Sequence, residues 1–149
     1  MEREGTMGAA SESTVQTVLV VEPDATIRGC IQECISTSFG DRFRVVAVST
    51  CQAGFDHLSE QRPHLLVMET DLPDAEGTGL IRHARMVMPP PAIIVCSHLR
   101  GVKDKIAAFE AGADDYVVKP LNTERLGLRF QLLERFAQLD PTRQLTRLD

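Results

Sequence analysis

Six side chains have the types and the placement to do chemistry together: Glu22, Asp24, Glu69, Asp71, Ser97 and Lys119. Four of them follow short apolar runs, VLVV before Glu22, LLVM before Glu69, AIIVC before Ser97 and YVV before Lys119. A short apolar run closed by turn chemistry suits a strand buried on both faces. In open α/β sheets, ligands and chemistry collect at the carboxyl ends of such strands. A carboxylate at that position is costly to place, which points to a purpose. Carboxylates can hold a hard cation or attack as nucleophiles, while a hydroxyl and an ammonium bind the oxygens of a transferred group. The set has the equipment of Mg²⁺-assisted phosphoryl chemistry.

The elements that must position these groups are legible around the stretch HLLVMETDLPDAEG, residues 64–77. Strands are expected at 18–21, 45–48, 65–68, 92–96 and 115–118. Asp24 is a good N-cap, and Ile27, Ile31, Cys34 and Ile35 recur behind it at helical spacing until Gly40. Further helices are expected over 50–61, 77–87 and 102–111, and from the Asn122 cap to 139. Pro89, Pro90 and Pro91 stop the third helix, since none can continue it. Gly54 in mid-helix costs about 1 kcal/mol against alanine, which close packing on a sheet could justify.

The order is β-α repeated five times. Alternation of this kind implies right-handed crossovers and a parallel sheet with helices on both faces. Five strands in one domain favour the flavodoxin-like order 2-1-3-4-5, whose switch point lies between strands 1 and 3. Glu22 and Glu69 end those two strands and would flank the crevice.

The chain has 149 residues, 43% of them hydrophobic and 25% charged, which fits one globular domain. A net charge of -5 gives no electrostatic footprint for nucleic acid. No apolar run approaches the roughly 20 residues that span a bilayer, so the expected compartment is the cytoplasm. Residues 1–14 read as a disordered tail, 15–139 as the domain, and 140–149 as a C-terminal tail or the start of a linker. Cys30, Cys34, Cys51 and Cys96 show no CxxC or zinc spacing and read as core filler. The four histidines form no ligand cluster, so no structural metal is expected.

From about Val18 to Leu139 the chain resembles a bacterial response-regulator receiver domain. The motifs that carry the resemblance are VLVVE-P-D, LLVMETDLPDAEG, IIVCS and AGADDYVVKP. The resemblance implies that Lys119 contacts a phosphoryl group. It also implies that Ser97 and Tyr116 are the switch pair that moves on phosphorylation. Glu69 takes the place of the family's phosphoacceptor aspartate. Pro23 takes the place of the second acidic residue on strand 1, which supplies a Mg²⁺ ligand, and proline has no side-chain oxygen to offer. Asp24 is one residue late and better placed to cap the helix. His98 stands where the family has a small residue, and reads as a steric narrowing of the pocket mouth.

These departures agree with one another and imply a pseudo-receiver. On that reading the chain is no enzyme and has no catalytic residue or cofactor. It is a phosphorylation-independent protein–protein signalling module, with Mg²⁺ entering only under the alternative of a working receiver phosphorylated by a histidine kinase. Two roles are open for Glu69. Its longer carboxylate can reach Lys119 and stand in for a phosphoryl charge, or it can simply neutralise a buried lysine. Asp71 reads as a loop residue, and Ser97 has no His-Asp relay to activate it. No Gly-rich phosphate loop follows strand 1, which disfavours a small-molecule site. The expected partner is a protein: a kinase, an output domain or another signalling protein. The face of the fourth helix, fifth strand and fifth helix, with Asp114, Asp115, Arg125 and Arg129, suits a homodimer.

Overall fold

The computed structural model describes residues 16–139, with side chains to Arg135. The strands are β1 (Gln16–Val21), β2 (Phe43–Val48), β3 (Leu65–Met68), β4 (Ala92–Ser97) and β5 (Asp115–Val118). The helices are α1 (Ala25–Phe39), α2 (Cys51–Glu60), α3 (Thr78–Met86), α4 (Val102–Ala111) and α5 (Thr123–Leu139). All strand pairs are parallel and the sheet order is β2-β1-β3-β4-β5, the flavodoxin-like order expected from the sequence. The two tails expected at 1–14 and 140–149 lie outside the described residues.

The apolar runs are buried because alternate residues serve opposite faces. Leu19, Val21, Leu66, Met68, Ile93 and Val95 pack toward α2, α3 and α4, where Leu58, Leu80, Ile81 and Ala108 meet them. Val18, Val20, Leu65, Val67, Ile94 and Cys96 pack toward α1 and α5, against Ile31, Ile35, Phe39, Leu126 and Phe130. Each such side chain contributes about 1.5–3 kcal/mol when fully buried. The sheet's rigidity therefore comes from both sides, and its strand ends are held in fixed register.

Local chemistry sets the joints as the sequence suggests. Asp24 Oδ1 accepts from Ile27 N at 3.0 Å and caps α1. Gly40, at φ 63°, ends that helix by donating its N–H to Ser36 O. A Cβ on Gly54 would come within 2.9 Å of Leu80 Cδ2 and 3.2 Å of Val21 Cγ2, so close packing does explain this glycine. Asp74, in the β3–α3 loop, accepts from Cys51 N and Gln52 N at 2.9 Å each. Those two backbone bonds hold its carboxyl below the usual range and tie the loop after β3 to the start of α2.

Three strand boundaries, both ends of α2 and α3, and one burial differ from expectation. β1 and β2 begin two residues earlier than read, at Gln16 and Phe43, because edge residues outside the apolar run still pair across the ladder. Ser97 belongs to β4 rather than to the loop after it. Cys34, Cys51 and Cys96 are buried, but Cys30 is only half-buried and is not core filler. Among the described residues, no helix is long and apolar enough to cross a membrane.

Candidate functional site

Backbone bonds extend the strand ladders just past their ends and so fix the site. Glu22 N donates to Val48 O at 2.9 Å, Glu69 N to Val21 O at 3.0 Å, and Lys119 N to Ser97 O at 2.8 Å. Those bonds align the carboxyl ends of β1, β3, β4 and β5 on one edge. Glu22 and Glu69 are 1% exposed and Ser97 is fully buried.

The Lys119 ammonium lies between the two glutamates, 2.7 Å from Glu22 Oε1 and 2.8 Å from Glu69 Oε1. Glu69 Oε1 also accepts from His98 N at 3.2 Å. Its Oε2 accepts from Thr70 N at 2.9 Å, from Asp71 N at 3.0 Å, and from the Ser97 hydroxyl in a short bond. Glu22 Oε2 accepts from Asp24 N at 2.9 Å. Both glutamates thus have each carboxylate oxygen engaged by a donor of the chain itself.

Electrostatics follow from this packing. Burial pushes the Glu69 carboxyl up, but the Asp71 amide, the Lys119 ammonium and the Ser97 hydroxyl outweigh it and hold the group below its ordinary value. Burial pulls Lys119 down, yet its bonds to Glu22 and Glu69 leave it above its ordinary value. Within this triad of Glu22, Glu69 and Lys119, the Glu69 carboxylate and the Lys119 ammonium therefore form a charged pair at neutral pH.

The β4–α4 loop is fastened over this triad. Leu99 N donates to Ser97 Oγ at 3.0 Å, and the Tyr116 hydroxyl donates to Leu99 O at 2.5 Å. Tyr116 is 8% exposed, with its ring turned inward, and burial pushes its hydroxyl pKa up. At the mouth, His98 Nε2 pairs with Asp71 Oδ2 at 2.7 Å.

His98, expected only to narrow the mouth, and Asp71, expected as a loop residue, are thus paired with each other. Sequence spacing hid the pair because the two positions are brought together only by the β3–β4 pairing. Arg28 was also missed. Its guanidinium donates to Glu22 O at 2.9 Å and Pro23 O at 3.1 Å, anchoring the end of β1 to α1. Thr70, directly after Glu69, is buried beside Ser97 at 3.5 Å between hydroxyl oxygens. Asp24 lies beside the triad, but its carboxylate is turned to the helix it caps.

On the α4–β5–α5 face, the expected charges are partly used within the chain. Arg129 holds both oxygens of Asp115 at 2.7 Å. Asp114 accepts from Ile93 N at 2.8 Å and lies 3.6 Å from Arg85. Arg125 is exposed there, beside Leu128 and Leu132 at 60% and 61% exposure.

A divalent cation of the kind the family implies does not fit this donor set. Pro23 has no side-chain oxygen, Asp24 faces its helix, Glu69 has both oxygens filled by five donors, and Glu22 is bonded to Lys119 and the Asp24 amide. Among the described residues, no group of three His, Cys, Asp or Glu side chains is placed to hold a metal ion.

The fold and the strand-end site together define a signalling receiver, and comparison with known proteins agrees. The family model for the response regulator receiver domain matches residues 18–131, and the chain belongs to that family. It is 36% identical over 118 residues to the KDP operon transcriptional regulatory protein KdpE of Escherichia coli K12, covering 79% of this chain and 51% of that protein. It is 30% identical over 125 residues to the transcriptional regulatory protein AfsQ1 of Streptomyces coelicolor, covering 84% of this chain and 54% of that protein. The chain thus spans about half the length of these curated relatives. Among solved structures, the BeF3-activated DrrB receiver domain superposes with a TM-score of 0.73 at 28% identity, over 81% of this chain and 98% of that one.

Proposed function

We propose that this chain is a pseudo-receiver, a protein–protein signalling module whose switch is set by Glu69 rather than by a phosphoryl group. The observation that carries the reading is the Glu69 carboxylate itself. It contacts the Lys119 ammonium, which the family resemblance assigns to a phosphoryl group, and the Ser97 hydroxyl, which it assigns to the switch. Tyr116 is turned inward and anchors the loop that follows Ser97. A fixed negative charge with these partners supports a permanently set switch, and the poor fit for Mg²⁺ supports independence from phosphotransfer. The partner on this reading is a kinase, an output domain or another signalling protein. A second copy docking on the α4–β5–α5 face, where Leu128 and Leu132 are exposed, is the self-associated form.

A second reading has support of its own. Receivers of this family are usually phosphorylated, and the similarity to whole transcriptional regulators fits a working Mg²⁺-dependent receiver at least as well. On that reading Glu69 would be the acceptor, released from Lys119 when a cation binds. Intact mass after incubation with a small phosphodonor, with and without Mg²⁺, separates the two. The pseudo-receiver is expected to keep its mass. A phosphoryl adduct that requires Mg²⁺ and maps to Glu69 overturns it.

A further inference from the structure

Cys30, Cys34 and Ser38 of α1 and Thr123 and Glu124 of α5 line a cleft of about 200 Å³. The two cysteines are one helical turn apart, which places their Cβ atoms about 5–6 Å from each other on one face. Cys34 is 5% exposed, and its thiol donates to Thr123 O at 3.3 Å. Cys30 is half-buried and lines the same cleft. Neither cysteine is in a disulfide. Gly127 brings α5 close over the pair: a Cβ there would lie 2.8 Å from Ser38 Oγ and 3.8 Å from Cys34 Sγ. Core filling accounts for Cys34 but not for a second, half-buried cysteine lining the same cleft.

We infer that Cys30 and Cys34 form a two-coordinate site for a soft monovalent metal ion of the copper(I) class. Thiolates select soft ions over hard ones, and a linear ion needs two sulfur ligands and no more. A four-ligand zinc site is a poor match, since no group of three metal-ligating side chains exists among the described residues. On binding, both S–H bonds ionise, two protons pass to solvent and two S–metal bonds form, with no electron transferred. Burial holds the Cys34 thiol above its ordinary value, so the proton must be displaced by the metal. Ionising Cys34 also removes its bond to Thr123 O, at the first residue of α5 and four residues after Lys119. Occupancy would therefore be felt where α5 begins. None of this depends on Glu69 or on the proposed pseudo-receiver role.

The test uses the full chain under anaerobic conditions, with copper(I) supplied as its bicinchoninate complex. The wild type is expected to withdraw one ion per chain from the chelator, and Cys30→Ser to withdraw none. Cys34→Ser should behave the same way. Cys30→Ser decides the matter alone if the more buried substitution fails to fold, and Cys51→Ser is the control that should retain uptake. The Thr123 and Arg125 amide signals should shift in the wild type and stay fixed in Cys30→Ser. No uptake by the wild type, or equal uptake by Cys30→Ser, overturns the proposal.

Discussion

Glu69 is the residue on which the two functional readings part, and Glu69→Gln separates a switch from a counter-ion. Glutamine keeps the size and removes the charge that Lys119 and Ser97 share. Breaking a buried pair costs about 3–5 kcal/mol when the other charge is left alone, but Glu22 remains 2.7 Å from the ammonium. A loss of about 1–3 kcal/mol in chemical denaturation is therefore expected. A fixed switch also requires that the Tyr116 ring signals move in NMR spectra and that partner binding or self-association weakens. Lost stability with an unchanged Tyr116 would leave Glu69 as a counter-ion. Glu69 is held low, so its contribution is present above the ordinary value of about 4.3 and is lost as pH falls through its lower folded value. Lys119 is held high, so its contribution is present below about 10.4 and is lost as pH rises through its raised folded value. Stability of the wild type should thus be flat between these limits as far as the Glu69–Lys119 pair is concerned. The acid limb should be shallower in Glu69→Gln.

At the scale of elements, Asp24 tests whether a carboxylate beside the pocket serves the helix or a cation. Its Oδ1 caps α1 through Ile27 N, and asparagine caps about as well as aspartate. Asp24→Asn is expected to change stability by no more than a few tenths of a kcal/mol, while Asp24→Ala should lose about 1 kcal/mol. A matching loss in both, read by thermal or urea unfolding, would show that the charge rather than the cap matters. The elements themselves were legible because each carried its own local signal. Apolar runs marked β3 and β4, caps marked α1 and α5, and glycine marked the end of α1. The early starts of β1 and β2 were not legible, because Gln16 and Phe43 extend the ladder by pairing with each other. Pairing is a tertiary fact that no local pattern records. The same limit hid the Asp71–His98 pair, whose members lie on separate loops.

For the molecule as a whole, strand order was legible because five β-α units in one parallel sheet admit few arrangements, and the two acidic strand ends fitted the switch point of one of them. What the sequence left open was which donors would saturate those acids. The Glu69–Lys119 contact was legible, but not that Glu22 would share the same ammonium. That arrangement bears on the whole fold through mass action. A ligand that binds only the folded state must raise its stability, by about 2.7 kcal/mol at a hundred times its Kd. A working Mg²⁺ pocket would therefore show a clear thermal shift at millimolar cation, whereas a pocket already filled by an ammonium would not. We expect the melting temperature in Mg²⁺ to match that in sodium salt of equal ionic strength, since screening of surface charges is then the same. The expectation is sharpest in paired measurements on Glu22→Gln, which removes one of the two anions beside Lys119. If Mg²⁺ stabilises the wild type and fails to stabilise Glu22→Gln, the cation has displaced Lys119 from Glu22, and the receiver works by binding metal after all.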